Sequence, residues 1–222
     1  MTLAVGVTLS EFESKRLLAE SGIPIPAERL VFSPKEAVLA AEELCYPVAL
    51  KLCGRGIAHK TERKLVRLDL TDEDDVNTQA EDLLAQRGPG EEHAGVLVSN
   101  MIQGRRELIV GLERDLQFGP CVMLGLGGVF AEALGDVAFA VAPLAPHDAD
   151  DLIDALAYAQ ILGRFRGEPE VDRAALGAIL ETLGRIGQDR PDVRSIDINP
   201  LIVSGSHPVV ADALVELDAN PA

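Results

Sequence analysis

A chain of 222 residues with 36 acidic against 20 basic side chains, net charge −16, is long enough to bury a sizeable core in one large domain or two lobes. That charge argues against nonspecific binding to nucleic acid and against docking on anionic lipid, since both need a cationic surface. A polyanionic ligand would have to be held by a few local cations, dipoles or a divalent metal, working against the global field.

Cys45, Cys53 and Cys121 are isolated, without CxxC spacing, and read as reduced packing residues. No apolar run approaches transmembrane length and no basic-then-apolar leader opens the chain, so a cytoplasmic protein is expected. In chain order, Ser10 and Glu13 form a capping box around Phe12, and Gly22 stops that first helix before Pro24 and Pro26. Val31 and Phe32 make a short extended piece. Ser33, Pro34 and Glu36 repeat the start signal for a helix running to about Leu44.

Residues 47–70, PVALKLCGRGIAHKTERKLVRLDL, predict a strand, a glycine-punctuated loop and a second strand, with a single cation, Lys51, emerging from the first strand. A lysine inside a buried strand must be paired with an anion or shift its pKa. A phosphate ligand above the sheet would meet that need; so would a place at the strand edge, from which the side chain reaches water. Thr71 and Asp74 open a third helix that ends near Gln86. The segment RGPGEEH, 87–93, predicts a connection between lobes and divides the chain into 1–93 and 94–222.

The second half holds three closely spaced apolar runs, 94–102, 107–113 and 120–128, and a short strand over Val137–Val141. Helices over Asp148–Ala159 and Val171–Ile186 follow, then a hairpin-like pair, 193–204 and 208–217. The order predicts an α+β chain, helices packed on mostly antiparallel sheets in two lobes. In the final pair Asp197 and Asn199 alternate with Ile196 and Ile198 and so share one face, with Asp212 on the partner strand. Carboxylate and amide oxygens so placed suit Mg²⁺, and a polar edge turned to solvent fits the same spacing. Gly125-Leu126-Gly127-Gly128 allows backbone to approach a ligand closely, or a plain tight turn. It is not GxGxxG, and the sequence has no Walker A, HExxH or GxSxG pattern.

Taken together, LSEFESKRLLAESGIPIP, YPVALKL, GIAHKTE, ELIVGLERDLQFGPCVMLGLGGVFAE, APL, RFRGEP and IDINPLIV with VADA resemble a known family in order and spacing, nearly end to end. It is the ATP-grasp (β) subunit of the NDP-forming acyl-CoA synthetases, the ADP-forming acetate–CoA ligase branch related to succinyl-CoA synthetase. The resemblance implies the ATP-grasp fold, two lobes clasping ATP. It assigns nucleotide phosphates to Lys51, the adenine hinge to the stretch of Val98, Ser99 and Ile102, and the lining of the nucleotide pocket to Glu107. It assigns Mg²⁺ to Asn199 and Asp212, and a transient phosphoryl group to His59. The implied activity is that of an ADP-forming carboxylate–CoA ligase subunit using ATP/ADP and Mg²⁺. Its implied partner is a separate CoA-binding α-type subunit with its own phosphohistidine, through which the small carboxylic acid and CoA enter.

Two departures from the family stand out. Arg63, Lys64 and Leu65 replace the usual glycine pair after HKTE, and Gly-Arg-Arg at 104–106 stands where a second glycine pair is common. Side chains there would block the close approach that glycine allows, or the added cations would meet phosphate as point charges. The rival expectation is a catalytically degenerate ATP-grasp module for nucleotide sensing or scaffolding.

Overall fold

The computed structural model describes residues 6–57, 60, 63–128, 134–164 and 167–218. Local signals set the helix starts. At α1 (Glu11–Glu20) the Ser10 N–H donates to Glu13 Oε2 at 2.9 Å, and the Glu13 N–H donates to Ser10 Oγ at 3.3 Å. At α2 (Pro34–Leu44) Ser33 and Glu36 close the same reciprocal box, with proline at the first helical position. The cap of α3 (Glu73–Ala85) is Asp72 rather than Thr71; its carboxylate accepts from the Asp75 N–H, and Glu73, Asp74 and Asp75 crowd the positive end of the helix.

The chain divides into two compact units. One comprises Thr8–Glu13 and Pro26–Met101; the other takes in Ser14–Ile25 and the chain from Ile102 onward. The division therefore falls at 101/102 and not at 93/94. The reason is β5 (Gly95–Asn100), an interior strand of the first unit's sheet. RGPGEEH is a turn between α3 and that strand, not a boundary.

The first unit is built on an antiparallel four-stranded sheet of order β2-β5-β3-β4, where β2 is Glu28–Val31, β3 Val48–Cys53 and β4 Val66–Leu70. One face bears Val48, Leu50, Leu52, Val96 and Val98, packed with Ala37 and Ala41 of α2 and Val76, Ala80 and Leu83 of α3. Because side chains alternate along a strand, the opposite face carries Ala49, Lys51, Cys53, Leu97 and Ser99. Every residue of β3 is buried. That burial on both faces explains why the run reads as continuously apolar apart from Lys51.

The second unit holds a sheet of order β1-β11-β9-β6-β7-β8, with β10 also paired to β9. Its strands are β1 (Val7–Thr8), β6 (Arg106–Asp115), β7 (Gly119–Leu126), β8 (Val137–Val141), β9 (Val193–Ser204), β10 (His207–Val210) and β11 (Ala213–Leu217). Helices α4 (Pro146–Asp154) and α5 (Arg173–Asp189) accompany it. The stretch expected to be one helix over Asp148–Ala159 is α4 followed by a separate 3-10 turn, Ala159–Leu162. Asp136 accepts from the Ala157 and Tyr158 N–H groups at 2.8 and 2.9 Å, fixing the chain between them. Leu176, Ile179, Leu180 and Leu183 of α5 are buried, as are Leu108, Val110, Leu112, Val122, Leu124, Ile196 and Ile198 of the strands; α5 packs on β6 and β7. Among the described residues no helix is long and apolar enough to cross a membrane.

Candidate functional site

Lys51 occupies an interior strand, flanked by β4 and β5, so the edge reading fails. Its ammonium donates to Glu11 Oε1 at 2.7 Å, and the Lys60 ammonium donates to Glu11 Oε2 at 2.5 Å. The three side chains retain 10%, 11% and 1% of their exposure for Lys51, Lys60 and Glu11. The anion required by a buried lysine is thus supplied by the chain itself. Sequence reasoning missed Glu11, although a strand lysine in need of an anion and an acidic residue opening a capped helix were both in view. Beside this cluster Arg55 holds Glu13 through both carboxylate oxygens, which pulls the Glu13 pKa from 4.5 to about 2. His59 lies outside the described residues.

The hinge residues separate. In the β3–β5 register Lys51 pairs with Leu97, and Ala49 with Ser99, so buried Ser99 shares the face of Lys51. Val98 does not reach that face. Its side chain is fully buried in the helix-covered core, and its backbone lies between β2 and β3. Ile102 is half-buried at the start of the second unit.

In the second unit, β6 alternates regularly through Glu107, Ile109 and Gly111, and Gly111 pairs with Asp197 of β9. Glu107 and Asp197 therefore share the face opposite α5. From Leu108↔Leu201 to Val110↔Ile198 the strand β9 uses one residue more than β6. The resulting bulge falls at Asn199 and Pro200 and re-aims exposed Asn199. Asp212 is not on the partner strand as expected; it lies in the two-residue break between β10 and β11. The Asn199 N–H donates to the Asp212 carbonyl at 3.2 Å, which joins the bulge to the break. Partial desolvation pushes the carboxyl of exposed Asp197 up, and the charge of Asp212 adds to the rise. Asn199, Asp197 and Asp212 bring an amide and two mutually repelling carboxylates to joined stretches of backbone, donors of the oxygen-only kind that suits Mg²⁺, an ion that keeps several waters and takes few protein ligands. Asp197 also lines a cavity of about 490 Å³ together with Gly111, Met123 and Phe139.

The glycine loop meets the same face. The Gly127 N–H donates to the Glu107 carbonyl at 2.7 Å, and a Cβ on Gly127 would fall 2.9 to 3.1 Å from Glu107 atoms, so only glycine fits. Gly128, at φ +84°, turns the chain with the Glu107 carboxylate 3.9 Å from where a Cβ would be.

The two departures from the family are explained locally. Lys64 adopts φ 55°, the left-handed turn a glycine would take, while Leu65 is fully buried in the core of the first unit. Arg63 pairs with both oxygens of Glu91, at 2.6 and 2.9 Å. Arg106 is buried and donates to the carbonyls of Ile161, Leu162, Gly163, Pro169 and Gly205. Both guanidinium groups are thus engaged structurally, which argues against their use as phosphate point charges.

Comparison with known proteins agrees with this frame. The family described as ATP-grasp domain matches residues 4–217. The β subunit of ADP-forming acetate–CoA ligase II of Pyrococcus furiosus is 36% identical, over 97% of this chain and 94% of that one. Dinucleotide forming acetyl-coenzyme A synthetase 1 of Ca. Korarchaeum cryptofilum, solved with coenzyme A, Ca-AMPCP and HgCl⁺, superposes with a TM-score of 0.89 at 36% identity, covering 95% of this chain and 93% of that chain. A second structure of that enzyme contains Mg-AMPPCP and has its phosphohistidine segment pointing towards the nucleotide binding site; its TM-score is 0.82, at 36% identity over 93% and 91% of the two chains. The chain belongs to the ATP-grasp family, in the branch of the ADP-forming acetate–CoA ligase β subunits.

Proposed function

We propose that this chain is the nucleotide-binding subunit of an ADP-forming acyl-CoA synthetase. The reaction is acyl-CoA + ADP + phosphate ⇌ carboxylic acid + CoA + ATP, completed by a separate CoA-binding α-type subunit. The observation that carries the reading is the buried Lys51–Glu11–Lys60 cluster on an interior strand of an ATP-grasp chain. Such a cluster gathers two cations on one carboxylate at a place where a soluble domain otherwise avoids charge.

Phosphoryl transfer asks the protein mainly for alignment and charge neutralisation. Lys51 contributes a fixed cation for the nucleotide phosphates. Ser99, on the same face, and Ile102 belong to the adenine side, and Glu107, with Gly127 and Gly128 seated on it, lines the pocket. Asn199 and Asp212 would hold Mg²⁺, which supplies charge neutralisation at the phosphates when bound. His59 accepts the phosphoryl group as a neutral imidazole and passes it on. The Mg-AMPPCP complex of the Korarchaeum enzyme and its phosphohistidine segment support the cofactor and relay assignments by analogy.

The test is calorimetric titration of the purified chain with ADP and ATP, each with and without Mg²⁺. Magnesium-dependent binding is expected. A folded chain that binds neither nucleotide, alone or with an α-type partner, would leave only the degenerate module. In the reconstituted enzyme His59→Ala should bind ADP normally and fail to turn over; normal turnover removes the relay role.

A further inference from the structure

The cavity beside Asp197 opens on a sheet face that the proposed function does not use. β8 reads Val-Ala-Phe-Ala-Val, five apolar residues without a charge or a proline, and among the described residues it ends its sheet, paired with β7 alone. Soluble chains ordinarily blunt an edge strand of that kind with charge, proline or a cover. Alternation turns Ala138 and Ala140 to one face, where Ala138 is buried. Val137, Phe139 and Val141 turn to the other and keep 45%, 65% and 52% of their exposure. Register carries the apolar strip inward, since Val141 stands beside Cys121 and Phe139 beside Met123 on β7. At the hairpin between β6 and β7, Asp115 accepts from the Gln117 and Phe118 N–H groups at 2.7 and 2.9 Å, a turn that leaves Phe118 60% exposed at the same cavity. The next strands bring acid instead. Glu113 of β6 lies beside Cys121, and Asp197 of β9 lies beside Gly111. Glu113, Asp115 and Asp197 all line the cavity, and among the described residues no lysine, arginine or histidine does. Partial desolvation raises the Glu113 carboxyl, and Glu216 and Asp218 add to the rise against the opposing charge of Arg194; a cation arriving there would relieve it.

Resting on the reading that this chain works with a separate CoA-binding subunit, we infer that this face, from Phe118 across Met123 to Phe139 and Val141, is where that subunit docks. The partner presents an apolar side chain to the cavity, flanked by lysine or arginine for Glu113, Asp115 and Asp197. A second copy of this chain is the poorer occupant. A two-fold contact sets the same patch against itself. The acidic rim of one copy would then meet a face with no cation around its cavity, in a chain whose net charge is −16. An apolar floor with a rim of one sign selects a different protein: the floor supplies affinity, and the rim steers the approach and fixes the register.

The experiment measures binding of the purified chain to the α-type subunit of the same organism by biolayer interferometry. Sedimentation of the chain alone and calorimetric titration with ADP and Mg²⁺ run in parallel. Phe139→Ala should weaken the α-type subunit by about thirtyfold, the loss expected of a truncated interface aromatic. Glu113→Lys should mainly slow association, by about tenfold at low salt and less at high salt. Phe139→Ala should bind ADP as the wild-type chain does. Wild-type affinity for the α-type subunit in Phe139→Ala, or no association by the wild-type chain, overturns the docking surface; ADP binding in the same samples would leave the nucleotide reading standing. A wild-type chain that binds no ADP, yet loses the α-type subunit on Phe139→Ala, overturns the nucleotide role and keeps the docking surface. If Phe139→Ala weakens ADP instead, the cavity belongs to the nucleotide and the docking role falls. A wild-type dimer that becomes a monomer in Phe139→Ala gives the face to a second copy and overturns the proposal likewise. An association rate that Glu113→Lys leaves unchanged removes the cationic partner. Phe139 is mostly exposed, so its truncation spares the core; should that variant still fail to fold, Val141→Ser reads the same face, and wild-type affinity there counts against the proposal.

Discussion

In the smaller sheet the candidate ligand-binding group is a cation locked into an interior strand, its charge already matched by a carboxylate of the same chain. In the larger sheet the candidate groups are oxygens at a bulge and in the two-residue connection between β10 and β11, with Asn199 exposed and Asp212 half-buried. The first arrangement makes binding and stability inseparable, because the lysine and its counter-ion belong to the packed unit. The second sets the donors at a strand irregularity and in a short connection rather than in a strand interior, so an ion can come and go at little cost to the fold. Charge sign accounts for part of this contrast. A chain with net charge −16 has to shelter its few working cations from competing carboxylates, whereas oxygen donors for a divalent ion are abundant on its surface.

Lys51→Ala tests that contrast most severely. It should abolish ADP binding in the calorimeter and also lower unfolding free energy by about 3 kcal/mol in urea, since it opens a cavity and leaves Glu11 one partner short. Loss of binding with unchanged stability would separate what the comparison joins. Gly127→Ala comes next: its Cβ must displace Glu107 backbone from 2.9 Å, which should cost about 1–3 kcal/mol by denaturation. Asp212→Ala should remove the magnesium dependence of ADP affinity, about tenfold or 1.4 kcal/mol. Its urea midpoint should move less than that of Lys51→Ala, because the backbone carbonyl that receives the Asn199 N–H is retained. A large stability loss there would mean that the second site, too, is part of the core.

Acid gives the smallest effect. Glu13 and Glu91 are each held at about 2 against an ordinary 4.5, chiefly by hydrogen bonds from Arg55 and Arg63 respectively. The unfolded chain takes up those protons first, so their contribution is complete above about pH 4.5 and declines as the pH falls towards 2. Arg63→Gln should flatten that part of a stability profile measured by thermal melts, without touching ADP affinity near neutrality.

Much of this organisation was legible in the sequence because it is local. The capping boxes at Ser10–Glu13 and Ser33–Glu36 need only four residues, and the lone Lys51 in an apolar run announces its need for an anion. What could not be read depends on distant pairing. Glu11 is 40 residues from Lys51 in the chain, and no spacing rule links a helix start to a strand interior. The place of β5 in the first sheet is a pairing choice, which is why a plausible linker at RGPGEEH stands away from the real division at 101/102. The outward turn of Asn199 comes from a bulge that strict alternation does not reveal, and Val98 faces the helices because of register alone. Arg106 looks like a spare cation in the sequence, yet its guanidinium collects carbonyls from segments up to 99 residues away.

The clamp at Glu11 also shapes the covalent chemistry of the surface. The lysines of this chain are Lys15, Lys35, Lys51, Lys60 and Lys64; Lys15 is fully buried, Lys51 and Lys60 hold Glu11, and Lys35 and Lys64 stand exposed. An acyl donor has to reach an amine to modify it, and the side chains of Lys51 and Lys60, 10% and 11% exposed against Glu11, are shielded from one. In a protein that works beside activated acyl groups, spontaneous acylation would therefore fall on Lys35 and Lys64, while the two cations nearest the proposed chemistry stay unmodified.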